Sequence, residues 1–113
     1  MTYWHYTCKD SAAKIGPAGK IKPGGSHYAW FTDMAHPNRD ALGLTMNYID
    51  CDRTTHRYRV VEDALLVRWL EVRRSEDWDW VRLLEHSPGA RPMHWWVSED
   101  PVGVIYDPVG GER

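Results

Sequence analysis

His5 and Thr7 are the first side chains that could do chemistry, and they lie two residues apart in the aromatic segment WHYT. Residues 3–8 are of β-forming types at nearly every position, which predicts a strand. Because alternate residues of a strand point to the same face, His5 and Thr7 would project side by side. An imidazole and a hydroxyl placed in this way can hydrogen-bond to adjacent hydroxyl groups of a ribose. A structural role for a lone strand histidine is the alternative.

Two further segments supply aromatic faces and positive charge. The segment YAWFT predicts a second strand, in which Tyr28 or Trp30 offers a flat ring for stacking a heterocycle. The segment RYRVV alternates basic with apolar residues and predicts a strand with Arg57 and Arg59 on one face. A guanidinium group can bind a diphosphate through paired hydrogen bonds. A solvated strand face explains the same alternation.

A pair of carboxylates, Glu99 and Asp100, follows the aromatic segment MHWWVS. In glycosyl transfer a carboxylate stabilises the positive charge that develops on the sugar, or orients the attacking group. Neighbouring strand residues face opposite ways, so one of the two can enter a site. We take Glu99 as the candidate acid and leave Asp100 open, and an ordinary turn before Pro101 remains an alternative.

Short elements are predicted to position these residues. Asp10 is a suitable N-cap for a helix over residues 11–15, which the following Gly-Pro pair ends. Residues 16–26 contain most of the glycine and proline in this half of the chain, with Ile21 as their one large apolar residue. This composition predicts a mobile loop that borders the site.

The middle of the chain predicts further short elements. Asn38 can cap a helix over residues 39–44, and residues 48–51 predict a strand that forms an antiparallel hairpin with the strand over residues 57–61. Residues 65–72 are consistent with a strand or a short helix.

The last third predicts a helix and two strands. Ser75, followed by two acidic residues, predicts the start of a helix whose core face comprises Trp78, Val81 and Leu84, with Trp80 and Leu83 beside it. Residues 93–98 and 102–106 predict a final pair of strands.

Composition places the chain among single-domain globular proteins. Its 113 residues are 42% hydrophobic and 27% charged, with a net charge of −2, so no global field favours nucleic acid or an anionic membrane. We expect one compact α+β domain over residues 1–107, with mainly antiparallel strands, a few short helices and a loose tail over residues 108–113. Neither a leader pattern nor a long apolar run is evident, which favours a cytoplasmic protein without a membrane segment.

Several common catalytic and metal-binding patterns are missing from the sequence. It contains no Walker-type glycine loop, HExxH, CxxC or GxSxG motif. A zinc site built from Cys51, His56 and another ligand matches no closed spacing pattern, so we expect no metal. Cys8 and Cys51 are too few for a disulfide framework and are interpreted as free thiols.

The order of the segments WHYT, YAWFT and VSED resembles the ADP-ribosyltransferase superfamily, in which an early strand carries histidine, a second carries an aromatic or hydroxyl residue, and a late strand supplies an acid. The succession of HYT, a helix, GxIxP and WFT is most similar to small DarT-like and RNA 2′-phosphotransferase-like members. This resemblance covers roughly the first third of the chain.

The resemblance implies an ADP-ribosyltransferase-like fold and an enzyme that uses NAD as co-substrate to modify a protein or nucleic acid. It implies His5 and Glu99 as catalytic residues. It implies cofactor binding by His5, Thr7, Tyr28, Trp30, Thr32, Arg57 and Arg59.

Two other functions stay open. The seven tryptophans and six tyrosines suit half-wet surfaces, so a non-catalytic binding or inhibitor module with exposed tryptophans is one alternative. An RNA 2′-phosphotransferase-like activity, with Arg57 and Arg59 on the phosphate, is the other.

Overall fold

The computed structural model describes residues 2–7, 9–16, 18–23, 27–35, 56–86 and 90–107. The strands are β1 (Trp4–Thr7), β2 (Ala18–Ile21), β3 (Ala29–Thr32), β4 (His56–Val60), β5 (Val67–Arg68), β6 (Trp95–Ser98) and β7 (Val102–Tyr106). The α-helices are α1 (Lys9–Ile15), α2 (Trp69–Val72) and α3 (Trp78–Glu85), and short 3₁₀ helices cover Asp63–Leu65, Arg73–Ser75 and Pro92–His94.

The seven strands of the described residues form one sheet in the order β2-β7-β4-β1-β3-β6-β5, and every neighbouring pair is antiparallel. The helices are short and pack against this sheet. The predicted fold class, an α+β domain with mainly antiparallel strands and a few short helices, is therefore confirmed.

One side of the sheet, which we call the His5 face, carries His5 and Thr7. The register places these residues opposite Tyr58 and His56 of β4, and directly paired residues share a face. Helix α1 lies on this side, where Ala12 and Ile15 pack on a buried cluster. That cluster consists of Ile21, Ala29, Phe31, Tyr58, Val60, Val102 and Val104.

The opposite side, which we call the tryptophan face, is built around Trp69 of α2. Its ring is fully buried, and its Nε1 donates to Glu85 at 2.6 Å. Trp30 of β3 lies against it with ring centroids 5.0 Å apart. The rest of this cluster comprises Tyr28, Val81, Trp95 and Val97, with Leu70, Val72, Trp80 and Ala90 at its edge. Most tryptophans thus contribute to packing.

The glycine-rich segment after α1 differs from its prediction. Helix α1 ends at Ile15 and is followed by Gly16, whose φ of 77° is favourable for glycine, in line with the predicted helix end. Residues 18–21 then form β2, which pairs with β7 along four residues, where a loop was predicted. Ile21 is buried as the anchor of this strand. Pairing with a distant strand overrides the low β-propensity of alanine and glycine.

The predicted pairing of the last two strands is wrong, whereas the predicted hairpin between residues 48–51 and β4 involves residues outside the described ranges. Strand β4 has β1 on one side and β7 on the other. Strands β6 and β7 are not neighbours, because β7 lies between β2 and β4. The strand over residues 48–51 and the helix over residues 39–44 lie outside the described residues.

Helix α3 starts later than predicted and presents a narrower apolar face. Its N-cap is Asp77, not Ser75, since the Asp77 carboxylate accepts from the main-chain N–H of Trp80. Val81 is fully buried, whereas Trp78 and Leu83 are 61% and 77% exposed. Residues 65–72 contain both predicted alternatives, because β5 leads directly into α2.

Candidate functional site

His5 lies where strands β1 and β3 separate. Among the described residues, the register between these strands is a single pair, Trp4 opposite Thr32. One residue further on, His5 Nδ1 lies 2.8 Å from the main-chain oxygen of Trp30. A carbonyl oxygen only accepts, so Nδ1 carries the proton and Nε2 is the acceptor nitrogen of the neutral ring. The imidazole therefore takes the place of a main-chain donor between the two strands.

Thr7 lies on the same face as His5, as the sequence predicts. It is more deeply placed, with 5% of its surface exposed, whereas His5 is half-buried. Phe31 of β3 lies beside His5 with ring centroids 5.7 Å apart in an edge-on arrangement. The structure thus brings His5, Thr7 and Phe31 to one face.

Tyr28, Trp30 and Thr32 are on the other side of the sheet. Trp30 and Thr32 pair with Val97 and Trp95 on the tryptophan face, and Tyr28 belongs to the same buried cluster. Their side chains therefore do not join His5. Alternation along the strand predicts that residues 28, 30 and 32 share one face of the sheet. It does not predict whether that face is the one that carries His5.

Tyr28 has an unusual electrostatic environment. Its hydroxyl donates to Glu76 at 2.5 Å. Burial, followed by this hydrogen bond and the negative charges of Glu76 and Glu99, raises the pKa of Tyr28 to about 12. The phenol is held in its neutral form on the tryptophan face.

Arg57 is engaged within the protein. Its guanidinium donates to the carbonyl oxygens of Asp107 and Ala35, both at 2.9 Å, and lies 3.2 Å from the Asp107 carboxylate. It also stacks over the Trp4 ring at 5.2 Å. Arg59, two residues along, shares this sheet face and is exposed. Neither arginine lies on the His5 face.

Glu99 and Asp100 are exposed in the turn after β6. The Ser98 hydroxyl donates to the Asp100 carbonyl oxygen and accepts from the Asp100 N–H, which closes the turn. Glu99 contributes to the raised pKa of Tyr28, so it lies within electrostatic range of that phenol. The structure does not bring Glu99 to His5.

The His5 face also carries a polar group that the sequence did not reveal. Asp33 follows β3, and its Oδ1 accepts from His94 Nδ1 at 2.7 Å. Its Oδ2 accepts from Trp96 Nε1 at 3.1 Å. Trp96 pairs directly with Phe31, which in turn contacts His5. We call His5, Phe31, Asp33, His94 and Trp96 the His5 cluster.

Two residues border the His5 cluster. The guanidinium of Arg68 lies over the Trp96 ring at 5.1 Å, and the Tyr3 ring packs against the same indole at 4.7 Å. Burial, with the charges of Asp63 and Asp33, raises the pKa of Tyr3, and Arg68 opposes this effect. Arg68 therefore places a positive charge on this face.

Once the structure is known, a spacing in the sequence can be related to the contact between Asp33 and His94. Phe31 and Asp33 are two residues apart, as are His94 and Trp96, and Asp33 and His94 lie just outside β3 and β6. From the sequence alone, Asp33 indicated only the end of a strand. The contact between Asp33 and His94 can be predicted only when the register of β3 with β6 is known.

Two other features of the described residues bear on possible chemistry. Among the described ranges, no three His, Cys, Asp or Glu side chains converge as a metal site. A shallow surface depression on α3 is lined by Asp79, Arg82, Leu83 and His86.

No protein-family model, curated protein or solved structure matches this chain. Within the described part of the chain, no helix is both long and apolar enough to cross a membrane.

Proposed function

We propose that this domain binds NAD on the His5 face and transfers its ADP-ribosyl group to a macromolecular target. The observation that carries the proposal is the position of His5, which is held by Trp30 where β1 and β3 separate. A strand histidine fixed in one tautomer is suited to recognising a ribose hydroxyl.

The neighbouring side chains support a nucleotide ligand. Phe31 and Trp96 offer aromatic surface beside His5, and Arg68 offers a cation above Trp96. Aromatic surface accommodates a flat heterocycle, and a guanidinium pairs with phosphate oxygens. Arg68 takes the diphosphate role in this proposal, since Arg57 is bound to Asp107 and Ala35.

The direct test of this function is the release of nicotinamide from NAD by the purified protein, followed by chromatography. The expected result is release above the spontaneous rate, and a loss of most of it in His5→Ala. The matched control is His86→Ala, an exposed histidine at the end of α3. Equal rates for all three proteins and buffer alone would overturn the proposal.

Glu99 stays a separate prediction from the sequence, because it follows β6 and is not brought to His5 or to the end of β6 where His94 lies. If its carboxylate stabilises charge on the ribose, Glu99→Gln lowers turnover by about 10²-fold while NAD affinity stays the same. Asp100→Asn is the neighbouring control, since both residues are exposed in the same turn.

A binding module is the second candidate, and one observation favours it. Trp78 and Leu83 of α3 are 61% and 77% exposed, and large exposed apolar residues are typical anchors of protein interfaces. Under this alternative, NAD is not consumed and Trp78→Ala removes binding of the partner.

A further inference from the structure

Asp33 and His94 form a carboxylate–imidazole pair on the His5 face. The pair joins the residue after β3 to the residue before β6 by a 2.7 Å hydrogen bond. An ionised carboxylate has no proton to give, so His94 Nδ1 is the donor. This bond fixes the tautomer in which His94 Nε2 carries the lone pair.

The surrounding contacts hold both partners in place. Trp96 Nε1 binds the second oxygen of Asp33, and the Asp33 N–H donates to the His94 carbonyl oxygen at 3.3 Å. The His94 N–H donates to Arg91 at 2.9 Å within the 3₁₀ helix. The carboxylate is 13% exposed and the imidazole 39% exposed. The hydrogen bond to Asp33 therefore orients the imidazole from its buried side, and the rest of the ring is accessible to solvent.

The pair lies on the same face as His5. His5 contacts Phe31, Phe31 is paired with Trp96, and Trp96 is bonded to Asp33. These contacts cross three neighbouring strands, which are about 4.8 Å apart. An extended dinucleotide that contacts His5 is long enough to bring its reacting ribose to His94.

We propose that His94 is the general base that activates the attacking group in ADP-ribosyl transfer, and that Asp33 positions it. This inference rests on the function proposed above. A positioned imidazole accepts a proton well near neutral pH, and a hydrogen-bonded carboxylate fixes its orientation.

The reaction is balanced with water or a target hydroxyl as the attacking group. The oxygen of that group forms a bond to the anomeric carbon of the ribose, and its proton moves to His94 Nε2. The bond from that carbon to the nicotinamide nitrogen breaks, and nicotinamide leaves with the electron pair as a neutral molecule. His94 then returns the proton to solvent.

The test uses nicotinamide release with water as the attacking group, together with a separate measurement of NAD binding. We expect His94→Ala to lower the rate about 10² to 10⁴-fold with little change in NAD affinity. Imidazole added to the solution should restore part of the lost rate, because the side chain it replaces is accessible. A purely structural histidine would not be rescued in this way.

Asp33→Asn provides the second variant. An asparagine keeps the shape of the side chain but loses the negative charge and the acceptor-only character that fix the His94 tautomer, so the rate should fall. Circular dichroism of both variants establishes that they fold, and His86→Ala serves as the control.

The outcomes separate the two proposals. If NAD does not bind, the proposed function fails and this inference fails with it. If NAD binds and is consumed, but His94→Ala and Asp33→Asn keep the wild-type rate, the inference alone is overturned. Binding without any nicotinamide release, or an impaired His94→Ala that imidazole does not rescue, also overturns it.

Discussion

The imidazole of His5 is hydrogen-bonded through Nδ1 to the main-chain oxygen of Trp30, 2.8 Å away. This contact joins β1 to β3 just beyond their single register pair. Its consequence is that the half of the sheet containing β1, β4, β7 and β2 is linked to the half containing β3, β6 and β5 through a side chain. The candidate site lies along this junction.

Arg57 should contribute to stability, since its guanidinium is buried and bound to Asp107 and Ala35. We expect Arg57→Ala to lower the free energy of unfolding by about 2 kcal/mol, because its hydrogen bonds to Asp107 and Ala35 are lost, although Trp4 and Tyr6 still donate to those two residues. Urea denaturation measures this loss. Arg59→Ala, on the same strand but exposed, should change it by no more than about 0.5 kcal/mol. Equal effects of the two changes would contradict the assignment.

The tryptophan face should be the main packing centre of its side of the sheet. Trp69 is fully buried, so Trp69→Ala should cost about 3–5 kcal/mol through the cavity that it leaves. Trp78 is 61% exposed, so Trp78→Ala should cost less than about 1 kcal/mol. Thermal unfolding of the two variants, followed by circular dichroism, tests the difference. A Trp78 variant as unstable as the Trp69 variant would show that α3 packs differently.

Tyr28 should make the protein sensitive to alkaline pH. Its pKa is raised from 10 to about 12 in the folded state, so folding favours the neutral phenol. The stabilisation is fully present below pH 10 and is lost as pH rises towards 12, by about 3 kcal/mol in total. Tyr28→Phe should therefore show a smaller fall in the free energy of unfolding between pH 9 and about 12.

The measurement is urea denaturation at several alkaline pH values. Tyr106→Phe is the control, because Tyr106 is 38% exposed, and it should keep the larger fall of the wild type. The account of Tyr28 would be wrong if Tyr28→Phe and the wild type lost stability in parallel.

The local elements could be predicted from the sequence better than their arrangement. Alternating β-formers indicated β1 and β3, and the Gly-Pro pair indicated the end of α1. Strand β2 was missed because Ala18 and Gly19 have little β-propensity, and its ladder depends on β7, more than 80 residues away. Such long-range pairing is not encoded in local pattern.

The candidate site shows the same limit. His5 and Thr7 share a face because they are two residues apart in a strand, and this could be predicted from the sequence alone. The Asp33–His94 pair joins residues 61 positions apart, and it appears only once β3 is paired with β6 in a particular register. A shift of one residue would move one partner to the other face.

Binding of NAD on the His5 face is tested most directly by a titration of the protein with NAD, in which intrinsic tryptophan fluorescence is recorded. Trp96 belongs to the His5 cluster, so NAD bound there should change the emission in a saturable way. We expect saturation in the wild type and in His86→Ala, with affinity weakened at least about tenfold in His5→Ala. No saturable change in the wild type, or equal affinity in His5→Ala, would contradict it.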